Sequence, residues 1–593
     1  MFSNRKHCIA VLLAFAIAGS AQASGSAALT TVAEHSGFAK TGRYDEVIAL
    51  CADFAKAYPD AVRCIDFGTT PEGRTMKALV VTRTGAFTPD QAHAKNIPVL
   101  LIQGGIHAGE IDGKDAGFLA LREALDGMTA KGDFAKMVWI FVPVFNIDGH
   151  ERFGSWNRPN QRGPQQMGWR TTAQNFNLNR DYVKADAPEM QAMLRLINAW
   201  DPIAYVDLHV TDGAKFQHDV SITAEPTHSG DNELRKAGTA MRDAVIAKLV
   251  ARGSKPLAFY PSFVGNDDPA TGFADGVPTP RFSHGYMPLR NRFGMLVETH
   301  AWKDYATRVR ITHNAIVAMI DLTAERGADW LKLAHDADGR AIHLGGETVP
   351  LDYKATATSR TIDFLGYAYT RTPSDVSGAL MTRYDERKPA VWKIPLRDDV
   401  QPSVTVVTPT GGYIVPAAHA AWIAQKLVQH GVQFRTLDHP MPHAAVETFR
   451  ADKATFAATS NESHQHLTLE GAWKPEARDI GGGALFVPVA QPKARLVIEL
   501  FEPQAPDSLV AWGEFNNAFE QKEYMEDYVA EDVARAQLQA DPALAAQFRK
   551  KLADEPAFAK DADARLRFFY RRSPSWDERL DLYPVMRMAT VPQ

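Results

Sequence analysis

The sequence predicts an α/β fold in which helices cover both faces of a central sheet. Three observations carry this. From about residue 40 to 335, short apolar runs alternate with segments of helical periodicity. One of the runs, Ile97 to Gln103, is almost wholly apolar, as a strand buried on both faces must be. That run passes straight into Gly104-Gly105, a sharp turn at the carboxyl end of a strand, where open α/β sheets gather their ligands.

In chain order, the apolar spacing of Tyr44 to Tyr58 predicts a helix and Val62 to Phe67 a strand. Met76 to Thr82 and Ile97 to Gln103 follow as strands, Ile111 to Leu125 as a helix and Met137 to Val144 as a strand. Pro188 opens a helix that runs to Trp200, because proline is at home in a first helical turn. Ile203 to His209 and Gly294 to Thr299 are short apolar strands, and Tyr305 starts a long helix reaching about Ala334. Beyond Asp338 the texture changes. Thr361 to Tyr369, Ser403 to Val407 and Leu485 to Val489 read as strands in a less regular order. Val415 to His430 is an amphipathic helix, and Ser508 to about Leu566 is mostly helical. A chain of 593 residues is too long for one ordinary domain. The expected division is therefore a first domain over residues 24–337 and a C-terminal α+β region over 338–593, itself divisible near residue 505.

Composition excludes several classes. With 45% apolar residues, 23% charged and a net charge of -5, the balance is that of an ordinary globular protein. Acidic and basic residues are mixed along the chain, so no nucleic-acid partner and no basic membrane-binding face is expected. Residues 1–23 read as a secretory signal peptide: Arg5 and Lys6, an apolar run from Ile9 to Ala18, then Ala21-Gln22-Ala23 at the cleavage site. The run is about half the length of a spanning helix, and no later segment is long and apolar enough, so no membrane anchor is expected. This places the mature protein in a periplasm or outside the cell. Export leaves two cysteines, Cys51 and Cys64, whose spacing suits a bridge from a helix to the next strand. Two buried free thiols are the alternative, and both remain open.

The chemistry starts where the buried strand ends, in Gly104-Gly105-Ile106-His107-Ala108-Gly109-Glu110. His107 and Glu110, three apart at a helix start, can face one point. A histidine and a carboxylate at that spacing suit zinc, with a third ligand from elsewhere. His209, closing the apolar strand Ala204 to Leu208, emerges at the same sheet edge.

With these residues in order, the chain resembles the zinc carboxypeptidases of the carboxypeptidase A type. Their His-x-x-Glu and distant histidine match His107, Glu110 and His209. Their Asn-Pro-Asp-Gly-like turn corresponds to Asn146-Ile147-Asp148-Gly149, and the Trp-Arg that polarises the scissile carbonyl to Trp169-Arg170. The Asn-Arg pair that holds the substrate carboxylate corresponds to Asn179-Arg180, and the general-base glutamate closing a late strand to Glu298. The resemblance covers about residues 40 to 330. It implies a mixed central sheet, one Zn2+ ion and hydrolysis of the C-terminal peptide bond of a peptide with a free carboxylate, by zinc-activated water with Glu298 as base. Each residue type has a reason to be there. Two imidazoles and one carboxylate leave zinc partly positive, with a position open for water. A nearby carboxylate takes that water's proton, and a planar guanidinium suits a bidentate hold on a carboxylate.

Two departures accompany the resemblance. The family places an aspartate before the Asn-Arg pair to orient the first zinc histidine, whereas this chain has Asn177. The mobile substrate-binding tyrosine of the family is assigned to Tyr286, with Tyr260 as the other candidate. Two other readings share the site: a zinc amidase or deacylase acting on cell-wall peptides or acyl amino acids, and a non-catalytic peptide-binding protein.

Overall fold

The structure is a computed structural model and describes residues 29–592, so the expected leader at 1–23 lies outside the described residues. The chain divides into two compact units. The first runs to Ala337 and takes in Lys354–Gln401; the second is Asp338–Tyr353 with Pro402–Gln593. The long hairpin that the sequence reading put in the C-terminal region thus groups with the first unit.

In the first unit the strands β1 (Val62–Thr69), β2 (Thr75–Val81), β3 (Val99–Gly104), β4 (Val138–Val142), β5 (Ala204–Thr211), β6 (Val220–Glu225), β7 (Pro256–Leu257) and β9 (Phe293–His300) form one sheet. Its order is β1-β2-β4-β3-β5-β9-β6-β7. The central four, β4, β3, β5 and β9, are parallel, with antiparallel pairs outside them at β1/β2, β2/β4 and β9/β6. It is the mixed sheet expected. Every residue of β3, β4, β5 and β9 is buried, which is why these strands read as mainly apolar runs. Helices α1 (Tyr44–Ala57), α2 (Asp112–Leu125), α3 (Pro188–Trp200), α4 (Asn232–Ala251) and α5 (Tyr305–Ala341) supply the helical layers. Proline opens α3, and the Asp231 carboxylate accepts from the Glu233 and Leu234 amides to cap α4.

The sequence reading missed several elements, among them helix α4 and strand β6. Strand β6, Val-Ser-Ile-Thr-Ala-Glu, lacks a continuous apolar run because Thr223 and Glu225 face a cavity. The hairpin is far longer than the Thr361 to Tyr369 segment suggested, with strands Arg360–Pro373 and Leu380–Arg397. Its base pairs with β8 (Phe273–Ala274). There Phe364, Trp392, Ile394 and Leu396 share a core with Phe216, Leu257, Phe259 and Phe273. Beyond that base most side chains are solvated, so the hydrophobic signal fades along the strands.

The second unit is α+β. Its six-stranded sheet includes Gly412–Val415, Met441–Phe456, Leu467–Ile480 and Leu485–Pro488, and helix Ala417–His430 ends on Gly431 at φ +63°. Regular helix resumes only at Asp527 and runs in four pieces to Tyr570, so the helical stretch starts later than residue 508. Among the described residues no helix is long and apolar enough to cross a membrane.

Cys51 of α1 and Cys64 of β1 are joined by a disulfide across a 13-residue separation. This decides between the two sequence-level alternatives. Cross-linking a loop of that length removes chain entropy from the unfolded state. We expect the double variant Cys51→Ala/Cys64→Ala to lose about 2–4 kcal/mol in urea-melt stability, and an unchanged midpoint would show that the bridge contributes nothing.

Candidate active site

The site is assembled by the carboxyl ends of three adjacent parallel strands. Beyond β3 the backbone turns through Gly105, whose φ of +64° is the left-handed conformation that favours glycine. His107 and Glu110 follow on a tight turn closed by the Glu110 amide donating to the His107 carbonyl at 2.8 Å. They therefore lie on the loop ahead of α2, one step before the helix start that the spacing suggested. His209 lies in β5, and its register partner in β9 is Glu298. Pairing alone puts the third candidate ligand beside the glutamate.

All four residues are buried. Ligand atoms from His107, Glu110 and His209 lie within 4.8 Å of one another. His107 Nδ1 is 3.0 Å from Glu110 Oε1, and His209 Nδ1 is 3.1 Å from Glu110 Oε2. The Val210 amide donates to Oε2 at 2.9 Å, fixing the carboxylate to β5. Behind His107, Nε2 faces the Asn177 Oδ1 acceptor at 3.1 Å, which assigns the proton to Nε2 and the lone pair to Nδ1. Two acceptors, Nδ1 and Oε1, then face each other across 3.0 Å, an arrangement that suits a cation between them. Two imidazoles and a carboxylate are a zinc donor set.

The electrostatics separate the two histidines. Burial, helped by the Arg170 and His209 charges and opposed by Glu110, drives the His107 imidazole down to about 4, leaving it neutral at physiological pH. Burial also works against a charged His209, but the Asp207 and Glu110 carboxylates outweigh it and hold the ring well above its usual range. Burial opposes ionisation of Glu110 too, yet the Arg158 guanidinium and His107 keep its carboxyl well below the ordinary value. Glu298 goes the other way. Burial, reinforced by Glu110, Asp207 and Asp212 and opposed by His209, pushes it up to about 8.

A cavity of about 390 Å³ opens beside these residues, lined among others by His107, Arg170, Asn179, Arg180, Tyr260 and Glu298. Arg170 reaches Glu110 Oε1 at 3.5 Å and stays more than a third exposed. The Asn146 side chain donates to the Arg170 carbonyl at 3.0 Å, tying the Asn-Ile-Asp-Gly turn to that arginine. Arg180 lies over the Phe282 ring, 4.4 Å from its centre. Tyr286 is not part of this group. It is fully buried against Tyr182, its ring centre 5.8 Å away, and the cavity tyrosine is Tyr260, whose hydroxyl accepts from Thr211 Oγ1 at 3.1 Å. The tyrosine assignment is corrected accordingly: at 286 the side chain completes a core, and at 260 it faces the site.

Arg158 was missed. Its Nη2 is 2.9 Å from Glu110 Oε1, and it is nine-tenths buried. The signal lay in Gly109, between the two putting-together residues His107 and Glu110: a Cβ there would come within 2.6 Å of Arg158 Cγ. The side chain can pass only over a glycine.

The sequence model of the zinc carboxypeptidase family matches residues 47–248. Over that stretch the chain is similar to the zinc carboxypeptidases. It contains His107, Glu110, Arg158, Arg170, Asn179, Arg180 and His209, while Tyr260 and Glu298 lie beyond the match. Over 102 residues the chain is 34% identical to the inactive metallocarboxypeptidase ecm14 of Schizosaccharomyces pombe, covering 16% of this chain and 20% of that protein. Over 126 residues it is 29% identical to carboxypeptidase B of Helicoverpa zea, covering 20% and 28%. The chain thus spans less than a third of the length of either relative. The solved carboxypeptidase A of Helicoverpa armigera aligns with a TM-score of 0.34 at 17% identity, covering 51% of this chain and 74% of its own.

The carboxyl of Glu298 makes a pH prediction. With its native value near 8 against an ordinary 4.5, the fold holds a proton that the unfolded chain releases between those values. Stability is therefore lost as pH rises through that window, and a neutral glutamine escapes the loss. In chelator-treated protein, Glu298→Gln should melt several degrees above the parent at about pH 8.5 and converge with it near pH 4.5. Melting curves that run in parallel across the range would contradict the shift.

Proposed function

We propose that the protein is an exported zinc metallocarboxypeptidase that hydrolyses the C-terminal peptide bond of peptides. One observation carries the reading: the His107, Glu110 and His209 ligand atoms converge at a cavity that also holds Arg170, Arg180 and an otherwise unpartnered buried carboxylate oxygen, Glu298 Oε2. Export rests on the leader at residues 1–23.

His107 Nδ1, the Glu110 carboxylate and His209 Nδ1 would hold the zinc, which when bound supplies Lewis acidity and a water that ionises near neutrality. Glu298, its ionised form favoured by the positive charge of a bound metal, accepts the proton of the attacking water at Oε2 and returns it to the nitrogen of the leaving amino acid. Arg170, partly exposed at the cavity wall, stabilises the oxyanion that develops on the scissile carbonyl, an effect worth about 3–4 kcal/mol per donor. Arg180 and the Asn179 amide hold the terminal carboxylate of the substrate, with the Phe282 face steadying the guanidinium plane. Tyr260 is the tyrosine we assign to the substrate. The departing side chain enters the part of the cavity lined by Thr223, Glu225, His228, Arg242 and Asp275. That polar wall also suits the second reading, an amidase or deacylase on cell-wall peptides or acyl amino acids, which would use the same metal and base.

The test is hydrolysis of N-blocked dipeptides as free acids and as C-terminal amides, with a zinc chelator as control. The free acids should be cleaved and the amides should be poor substrates, with chelator abolishing activity. Glu298→Gln should retain zinc and lose about 10²–10⁴-fold in kcat. Rapid cleavage of the amides would favour the amidase reading, and undiminished hydrolysis by Glu298→Gln would sink the mechanism.

A further inference from the structure

Behind the two histidines the structure differs. The Nε2 of His107 meets a neutral amide oxygen, Asn177 Oδ1, which it shares with the Asn179 amide at 3.2 Å. The Nε2 of His209 lies 3.0 Å from Asp207 Oδ2, off the axis of a straight hydrogen bond, so the contact acts through charge. Asp207 is two residues before His209 in β5, which puts both side chains on the same face of the strand.

The Asp207 carboxylate is fully buried and firmly aimed. Gln103, its register partner in β3, donates from Nε2 to Oδ1 at 2.8 Å. The Ser283 hydroxyl donates to Oδ2 at 2.7 Å. Gln103 in turn donates to the Tyr182 hydroxyl at 3.3 Å, which pairs with that of Tyr205 at 2.7 Å. A buried carboxylate with two side-chain donors and an imidazole around it is expensive to build for packing alone. Carboxylates that back a ligating imidazole orient the ring and raise its basicity. Arg158 and Arg170 draw charge from Glu110, and Asp207 supplies a buried carboxylate directly behind the other ligand, His209.

We propose that Asp207 is a positioning residue for the metal site, making His209 the more firmly held and more basic of the two imidazole ligands while His107 is backed by an amide only. The proposal rests on the metal-site reading given above.

The test is zinc affinity of the full-length chain, titrated against a fluorescent chelator, with melting of the chelated protein as a fold check. Asp207→Asn should weaken zinc by about 10–100-fold while the chelated protein still melts cooperatively. Adding Asn177→Asp to that variant should recover part of the loss, because it restores a carboxylate behind the other histidine. Ser283→Ala, which keeps every charge and removes one donor that aims the carboxylate, should weaken zinc in the same direction, and it decides the matter if Asp207→Asn fails to fold. Parent-like zinc affinity in whichever of these variants folds overturns the proposal. A parent chain that takes up no zinc overturns the metal-site reading itself.

Discussion

Parallel pairing of β3, β5 and β9 is the constraint from which the site follows. Each strand delivers its chemistry at its carboxyl end: β3 leads into the turn with His107 and Glu110, β5 carries His209 and β9 carries Glu298. Register puts His209 and Glu298 side by side, and the Val210 amide pins the Glu110 carboxylate to the same edge. A slip of one residue in β5 would turn His209 to the other face of the sheet. The buried apolar strands that hold this register are thus as much a part of the site as the ligands themselves. The site is then closed by loops, which bring Arg158, Arg170, Asn179 and Arg180 to the edge.

Charge at this edge is distributed unevenly. Glu110 answers to two histidines and two arginines, so it stays ionised despite burial. For Glu298 the imidazole of His209 opposes burial and three other carboxylates without outweighing them, and the carboxyl holds its proton to higher pH. A pair of buried carboxyls driven in opposite directions is the pattern expected where one serves as a fixed ligand and the other handles a proton. The same contrast runs through the histidines, one backed by an amide and the other by Asp207.

Much of this was legible in the sequence. Central strands buried on both faces announce themselves as apolar runs, and the metal and clamp residues follow in an order that the resemblance could match one by one. Asn177 was read as the support of His107, and it stands 3.1 Å from that ring. What stayed hidden had physical reasons. Strand β6 turns polar side chains to the cavity, which breaks the apolar pattern. The hairpin from Lys354 to Gln401 groups with the first unit through a few aromatic residues at its base, contacts that no local pattern encodes. Tyr260 and Tyr286 are both plausible by position, and only burial separates them. Arg158 comes from a loop remote from the ligands, and Asp207 looked like one polar residue in an apolar strand.

The proposed activity requires one metal ion between the two Nδ1 atoms and the Glu110 carboxylate. Anomalous diffraction at the zinc edge from crystals of the purified protein tests it directly. A single strong peak is expected about 2.0–2.2 Å from His107 Nδ1, His209 Nδ1 and a Glu110 oxygen. A peak elsewhere, or none at that position in protein that contains stoichiometric zinc, would contradict it.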